Sequence, residues 1–368
     1  MATSKKINIV KRILFSFCAI VLGIILLIAL LFGFLTLREF RPDSVERILV
    51  QKNSSSVSEA AELFCEKSFT VVSWNTGYGA LGDNADFFMD GGKHVMTADK
   101  ARVQENLKSI SQNTKAFSPD IVFFQEVDQK ATRSHKINQL KYYSDFFTDF
   151  QFAYARNFLV DFIPYPIPPI GKVDAGIVTL SQYALSDCER IQLPCPFSWP
   201  LRIGNLKRCL LVSRVPVAET QKELVLVNLH LEAYDSGEGK IAQTAMLKNF
   251  LEAEYQKGNY VIAAGDFNQT FSTVDKSAFP VHSGMWLPGE ISAEDFPVDW
   301  KLLMDSRTAS CRSLDRPFNG ENPSEFQFYI IDGFIVSPNV QVLDFSTRQL
   351  NFAASDHNPV LLTAQLKK

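Results

Sequence analysis

The chain begins with a long apolar segment and continues as short apolar runs separated by polar stretches. No charged residue occurs between Ile13 and Leu37, and a helix rising about 1.5 Å per residue covers the hydrocarbon thickness of a bilayer over that length. The stretch is longer than the apolar region of a signal peptide, and no cleavage-site pattern follows it. We therefore predict one transmembrane anchor over residues 13–37, with a buried core helix as the alternative.

The cations beside this segment predict its orientation. Four precede it and two follow it: Lys5, Lys6, Lys11 and Arg12, then Arg38 and Arg41. Because cytoplasmic flanks carry the excess of Lys and Arg, we expect residues 1–12 to be cytoplasmic and the bulk of the chain to lie outside the cell membrane. The polar, serine-rich stretch QKNSSSVSEA predicts a linker over residues 38–67. Residues 68–368 would then form the folded domain that follows the linker.

Past the linker, the apolar runs have the lengths and compositions of strands. Such runs predict strands at 69–74, 120–127, 151–158, 174–180, 206–215, 223–231, 259–264, 328–336 and 359–366. Helical periodicity appears over 98–117 and about 240–256. Many strands and few long helices predict an α/β protein with two packed sheets.

The segment IPYPIPPI, residues 163–170, is expected to be a rigid, extended loop. Its four prolines prevent sheet pairing. It is either a structural crossover or a hydrophobic lip beside a site or a membrane.

Composition and charge limit the classes of function. The chain is 46% apolar and 21% charged, which excludes a disordered protein. Beyond residue 41 there are 31 Lys and Arg against 39 Asp and Glu, a net charge of −8. That balance does not favour a generic binder of nucleic acid or of anionic membranes. Six cysteines at irregular spacing form neither a disulfide framework nor a zinc pattern.

Polar residues occur where the apolar runs end or break. They are Asn75, Glu126, His230, Asp266, Asn268, Asp332, Asp356 and His357. Singly, most have ordinary explanations as turn formers or hydrogen-bonded core residues. Asp332 differs, because a carboxylate between Ile331 and Gly333 is costly to bury without a partner. Since α/β sheets place sites at strand ends, the set predicts one functional site.

The residue types in this set indicate metal-assisted chemistry on phosphate. Carboxylates and amides without thiolates suit Mg²⁺ or Mn²⁺ better than zinc. Such a cation stabilises charge on phosphoryl oxygens. Asp266 and Asn268 are two positions apart, so in a strand their side chains would point to the same side and could contact one ligand. A histidine oriented by a carboxylate acts as a general base or acid.

Six motifs together resemble the endonuclease/exonuclease/phosphatase superfamily in order and rough spacing: SWNTGY, FFQEVD, VNLHLEA, AAGDFNQT, IIDGFIV and ASDHNPV. That superfamily includes deoxyribonuclease I-like nucleases, bacterial neutral sphingomyelinases and inositol polyphosphate phosphatases. The resemblance runs from about Phe69 to Leu366 and looks most like membrane-anchored bacterial members of unassigned substrate. It implies a four-layer α/β sandwich, in which helices flank two mixed β-sheets and the site lies at one edge.

The resemblance also implies how the site holds metal and water. Glu126 would be the principal Mg²⁺ ligand, with Asn75 and Asp356 nearby. Asp266 and Asn268 would hold the attacking water and a phosphate oxygen.

The resemblance implies that the two histidines of the site would transfer protons or bind phosphate. His357, oriented by Asp332, would be the general base or a phosphate contact, and the base stays open between His357 and Asp266. His230 would bind phosphate or protonate the leaving group. Candidate substrate contacts around this core are Asp174, Lys207, Arg208 and Tyr234.

The leading hypothesis is a Mg²⁺-dependent phosphodiesterase, anchored in the cell membrane by one helix and acting outside it. The negative charge favours a phospholipid headgroup or a small phosphodiester over a polyanion. An extracellular nuclease is the alternative within the enzyme class, and a non-catalytic binding module on the same fold is the alternative outside it. No protein partner is predicted.

Overall fold

Four α-helices lie in the part of the chain that the computed structural model describes, which is residues 2–52, 60–318, 320 and 323–368, without the side chains of 2–10 and 323. They are α1 (Ala2–Leu37), α2 (Lys100–Ala116), α3 (Gln139–Phe146) and α4 (Glu238–Gln256). α2 and α4 confirm the two helices predicted from periodicity, whereas α3 was not predicted. Asp99 caps α2, since its side chain accepts a hydrogen bond from the Arg102 amide.

The described residues also form eighteen strands, most of them short. They are β1 (Val45–Arg47), β2 (Gln51–Lys52), β3 (Ser68–Asn75), β4 (Ile121–Asp128), β5 (Gln151–Ile163), β6 (Gly171–Ser181), β7 (Asp187–Gln192), β8 (Cys209–Pro216), β9 (Glu223–His230), β10 (Tyr260–Asp266), β11 (Gln269–Phe271), β12 (Gly289–Ile291), β13 (Lys301–Leu303), β14 (Cys311–Arg312), β15 (Phe328–Tyr329), β16 (Asp332–Val336), β17 (Val340–Thr347) and β18 (Val360–Leu366).

Two seven-stranded sheets form the centre of the protein. The first sheet has the order β1-β7-β8-β9-β10-β16-β13, and the second has the order β17-β18-β3-β4-β6-β5-β2. Each is mixed, because β9 and β10 are parallel in the first and β3 and β4 are parallel in the second. α4 covers the outer face of the first sheet, and α2 and α3 cover that of the second. The predicted four-layer α/β sandwich is confirmed.

The core between the sheets follows from the apolar residues of the central strands. Phe123 and Ile177 of the second sheet and Leu226 and Ile262 of the first are fully buried in it. Burying each such side chain stabilises the fold by about 1.5–3 kcal/mol. A polar pair crosses this core, where Gln125 Nε2 donates a 2.8 Å hydrogen bond to Asn228 Oδ1. The two sheets are therefore fixed to each other by apolar packing and by a buried amide contact.

The predicted strand at 328–336 is interrupted in the structure. β15 ends at Tyr329, and Asp332 is the first residue of β16 instead of lying inside a strand. The backbone between them pairs with side chains, since the Ile331 amide and the Ile330 carbonyl bind the hydroxyls of Ser310 and Thr270. Asp332 consequently lies at a strand end, like the other polar residues of the set.

Residues 38–67, predicted to be a linker, pack against the domain where the structure describes them. β1 pairs with β7 of the first sheet, and β2 pairs with β5 of the second. Leu63 is buried in the core between the sheets. Residues 53–59 of the serine-rich stretch lie outside the described residues. The segment thus adds an edge strand to each sheet.

Within the described chain, one helical segment has the length and composition to cross a membrane. It is Lys11–Leu37, and its apolar stretch is not buried against the rest of the protein. That exposure excludes the alternative of a buried core helix. Among the described side chains of α1, Leu35 near its end is buried.

Glu254 joins α4 to the first sheet. Its carboxylate accepts hydrogen bonds of 2.8 and 3.0 Å from Arg214 of β8, and also accepts from Lys257 and Asn259. Burial raises the pKa of Glu254, but these donors lower it from 4.5 to about 2. The stabilisation is therefore fully present above pH 4.5 and is lost as the pH falls toward 2.

We predict that Glu254→Gln lowers the free energy of unfolding at neutral pH by about 2 kcal/mol, because it removes charge-assisted hydrogen bonds. The variant should also lose stability less steeply between pH 4.5 and 2. Urea denaturation across that range, in detergent, measures both effects. Glu252→Gln on the same helix is the control, since Glu252 lies 3.6 Å from Lys248 in a partly exposed pair. Equal losses in both variants would contradict the prediction.

Candidate metal-dependent active site

Three neighbouring strands of the first sheet bring polar residues to one level at its edge. In the register of β9, β10 and β16, Asp266 lies between His230 and Asp332. Residues opposite each other on paired strands point to the same face. All three side chains are buried, and His230 Nε2 lies 3.4 Å from Asp266 Oδ2.

The second sheet contributes the remaining residues from three strand ends. Asn75 ends β3, while Asp356 and His357 precede β18. Glu126 lies in a bulge of β4, where the register with β6 shifts, and has a φ of +56°. A bulge re-aims a side chain, and a positive φ costs a non-glycine residue about 1–3 kcal/mol. The strained backbone of the bulge directs the Glu126 side chain toward the site.

Hydrogen bonds between the two sheets close the site. Asn75 Nδ2 donates to Asp266 Oδ2 over 3.0 Å and to Glu126 Oε1 over 3.3 Å. His357 Nδ1 lies 2.8 Å from Asp332 Oδ2, and His357 Nε2 lies 3.8 Å from Asp266 Oδ2. The groups that the sequence scatters over almost three hundred positions therefore form one connected cluster.

Two backbone features position the carboxylates of Asp266 and Asp356. The Asn268 amide donates a 2.9 Å hydrogen bond to Asp266 Oδ1, and Asn268 has a φ of +50°. Gly77 has a φ of +50°, and a Cβ there would lie 2.8 Å from Asp356 Oδ1. Gly77 thus leaves the space that the Asp356 carboxylate occupies.

The carboxyl groups of the cluster are crowded and buried. Burial raises the pKa of Asp356 to about 7, and the charge of Glu126 adds to that effect. Burial also raises the pKa of Asp266, and the charge of Asp332 adds to it. Crowded buried carboxylates resist ionisation unless a cation balances them.

The two imidazoles have opposite electrostatic surroundings. Burial lowers the pKa of His230 well below its usual value, and the charge of Arg208 lowers it further. Burial also lowers the pKa of His357, but Asp332 and other neighbours outweigh it and raise that pKa well above its usual value. At neutral pH, His230 is therefore neutral and His357 carries a proton.

The donor chemistry of the cluster fits a divalent metal ion. Glu126 and Asp356 offer carboxylate oxygens, the ligands that hard cations prefer. The Asn75 amide oxygen accepts a 3.1 Å hydrogen bond from the Gly77 amide, while its Nδ2 faces the carboxylates. Cys311 also lies within 4.8 Å of ligand atoms of Asp356 and His357. Burial raises the pKa of the Cys311 thiol to about 12, so that sulfur stays protonated and is a poor ligand.

Of the four candidate substrate contacts, two are bound elsewhere. Asp174 accepts a 2.7 Å hydrogen bond from Arg156 Nε. Lys207 donates to the Arg202 carbonyl and lies 3.3 Å from Glu39, just beyond α1. Neither lines the cavity above the catalytic cluster, so the structure does not place them at the site.

The other two candidates line that cavity. The guanidinium of Arg208 lies 3.3 Å from Glu232 and donates a 3.1 Å hydrogen bond to the His230 carbonyl. The Tyr234 hydroxyl donates to Asp90 over 3.1 Å. Both remain candidates for substrate contact.

The sequence analysis missed Ser355 and Cys311. Ser355 Oγ donates to the Asn75 carbonyl over 2.8 Å and accepts from the His357 amide over 3.2 Å, which joins two motifs. Its position within ASDHNPV was the signal that could have identified it. The backbone of Cys311 pairs with that of His357 in an isolated antiparallel β-bridge. An isolated cysteine in the sequence gave no signal that could have identified it.

A family model described as "Endonuclease/Exonuclease/phosphatase family" matches residues 72–357, most of the chain. The chain belongs to this family. The resemblance inferred from the motifs is therefore confirmed, and the chain is a metal-dependent phosphoester hydrolase. No curated protein matches it.

Solved structures of endonuclease/exonuclease/phosphatase proteins share the fold. One from Beutenbergia cavernae has a TM-score of 0.56 and 16% identity over 82% of this chain and 72% of that chain. One from Bacteroides vulgatus has a TM-score of 0.50 and 16% identity over 82% of this chain and all of that chain. TDP2 from Caenorhabditis elegans has a TM-score of 0.51 and 15% identity over 82% and 75% of the two chains. At these identities the likeness supports the fold alone.

We predict that Gly77→Ala lowers kcat/KM at least tenfold although it removes no functional group, because its Cβ displaces Asp356. The positive φ should also cost about 1 kcal/mol of stability. Steady-state kinetics and thermal unfolding measure the two effects separately.

Gly237→Ala is the matched control for backbone strain. Gly237 has a φ of +110°, but a Cβ there would meet nothing within 4 Å. This variant should lose stability and keep its kcat/KM. Equal kinetic losses in both variants would contradict a specific effect on Asp356.

Proposed function

We propose that this protein is a Mg²⁺-dependent phosphodiesterase that acts outside the cell membrane on a phospholipid headgroup or a small phosphodiester. Residues 13–37 would be the anchor, residues 1–12 would be cytoplasmic, and the catalytic domain would be extracytoplasmic. The observation that carries the proposal is the cross-sheet cluster in which Asn75 contacts Asp266 and Glu126, and Asp332 contacts His357.

Asn75, Glu126 and Asp356 would hold Mg²⁺, with Mn²⁺ as a substitute. Their oxygens are hard ligands, and the raised pKa of Asp356 reflects a buried negative site that a cation would balance. Bound there, the ion would supply positive charge to the phosphoryl oxygens of the substrate.

The protein's own groups handle the water and its proton. Asp266 is held by Asn75 and by the Asn268 amide, and we assign it as the general base. The oxygen of water forms a bond to phosphorus as Asp266 accepts the water proton. The ester P–O bond breaks, and the departing oxygen takes a proton from solvent.

The two histidines serve different roles in this scheme. Asp332 holds Nδ1 of His357 and stabilises the imidazolium, so His357 presents positive charge to a phosphoryl oxygen. His230 lies beside Asp266 and is neutral. Its Nδ1 is buried and has no hydrogen-bond partner among the described residues.

We predict that Glu126→Gln and His357→Ala each lower kcat/KM at least 100-fold, because each removes charge stabilisation or phosphate contact. Hydrolysis of bis-p-nitrophenyl phosphate with Mg²⁺ is the measurement. Glu105→Gln and His282→Ala are matched controls outside the cluster and should retain activity. Wild-type rates in both cluster variants would overturn the proposal. Faster cleavage of single-stranded DNA, with binding that weakens steeply with salt, would favour a nuclease instead.

Metal removal provides a separate prediction. EDTA should abolish hydrolysis and added Mg²⁺ should restore it. Mg²⁺ should also raise the melting temperature of the wild type and of Glu105→Gln, since an ion that binds only the folded state stabilises it. It should not raise that of Glu126→Gln. Full activity in EDTA would contradict a role for the ion.

A further inference from the structure

An apolar cavity of about 880 Å³ reaches from the catalytic cluster to the end of α1. Asp266, Asp356 and His357 line it, and so do Phe32 and Leu35 of α1. Between them its walls are largely apolar, with Phe158, Val160, Ile163, Leu206, Met285 and Trp286. Its volume lies in the upper part of the range for small-molecule pockets. A small polar phosphodiester would leave most of this apolar surface uncovered.

Exposed apolar side chains lie at this cavity or beside it, and we call them the rim: Phe162, Tyr165 and Leu201 line the cavity, Trp199 packs against Phe32 of α1, and Ile167 lies two residues from Tyr165. The Trp199 ring lies 6.5 Å from that of Phe32, and its Nε1 donates to Thr36 Oγ1 over 3.1 Å. Ile167, within the proline-rich segment, is 95% exposed. Trp and Tyr are typical of membrane–water interfaces, so the rim has the composition of a surface that rests on a bilayer.

Ion pairs fix the end of α1 to the cavity walls. Arg38 binds Asp161 of β5 over 2.8 Å, close to the rim residue Phe162. Glu39 is buried and binds Arg202 over 2.8 Å, one residue beyond the rim residue Leu201. Burial raises the pKa of Glu39, but its cationic partners lower it to about 2. The membrane helix and the cavity therefore form one unit at neutral pH.

We propose that the substrate is a membrane phospholipid whose acyl chain occupies the apolar cavity while its phosphodiester reaches the catalytic cluster. This inference rests on the proposed phosphodiesterase function. The cavity opens beside α1, so a lipid chain passes from the bilayer into protein without crossing water. The rim rests on the membrane through apolar contacts, which agrees with a domain whose net charge is negative.

The test uses the full chain in lipid nanodiscs and p-nitrophenyl phosphodiesters with methyl, butyl and octyl groups. The wild type is compared with the double variant Phe162→Asn, Leu201→Asn, whose residues are partly exposed and lie outside the catalytic cluster. Partition of the substrate into the nanodisc raises its local concentration equally for both proteins. The wild-type to variant ratio of kcat/KM therefore reports only the contribution of the cavity to chain-length preference. A buried methylene changes a rate constant by about fourfold, the equivalent of about 0.8 kcal/mol.

The ratio should be smallest for the methyl diester and at least tenfold larger for the octyl diester. The double variant Val298→Asn, Leu343→Asn is the control, because both residues are exposed and apolar but do not line the cavity. The wild-type to control ratio of kcat/KM should not change with the length of the alkyl group. A ratio independent of chain length in the rim variant would overturn the inference.

Trp286 provides a readout that does not depend on turnover. Its Nε1 donates to the Ala233 carbonyl over 3.0 Å, and its ring packs on Tyr329 in the cavity wall. The emission of Trp286 is the difference between the fluorescence of the wild type and that of Trp286→Phe. Phospholipid brominated near the headgroup should quench this component, while the emission of the buried Trp74 and Trp300 should be unaffected. No quenching of that component would overturn the inference, whereas failure to hydrolyse any diester would overturn the proposed function.

Discussion

The active site depends on hydrogen bonds that cross from one sheet to the other. Asn75 of the second sheet binds Asp266 of the first, and His357, which precedes β18 of the second sheet, is held by Asp332 of the first. Gln125 and Asn228 make a similar contact inside the core. A buried polar group left without its partner costs about 1–3 kcal/mol, so these contacts favour one packing of the sheets. The same packing assembles the site.

The site concentrates negative charge that the fold only partly balances. Four carboxylates, from three strand ends and the bulge of β4, crowd together, and the protonated His357 supplies positive charge beside them. The backbone is strained at Glu126 and Asn268, which aims these side chains inward. Enzymes of this family use divalent metal ions, and the uncompensated negative charge of the cluster fits such an ion.

The apolar helix α1 ends beside the cavity of the candidate site. The helix that has the composition of a membrane span ends against the wall of the cavity, where Arg38 pairs with Asp161 and Glu39 pairs with Arg202. A flexible linker would let the domain move away from the bilayer, but the described part of residues 38–67 pairs with both sheets. The described part of this segment is therefore packed on the domain.

The sequence by itself determined the sandwich, the apolar helix and the eight polar residues at strand ends. Alternating or continuous apolar runs are local signals, and a polar group that interrupts them is visible without coordinates. Only the tertiary structure decided the remaining partners. Lys207 pairs with Glu39 instead of substrate, and Cys311 and Ser355 join the cluster, because long-range packing sets these contacts. The cavity that connects the cluster to α1 likewise arises from segments far apart in the chain, so no local pattern records it.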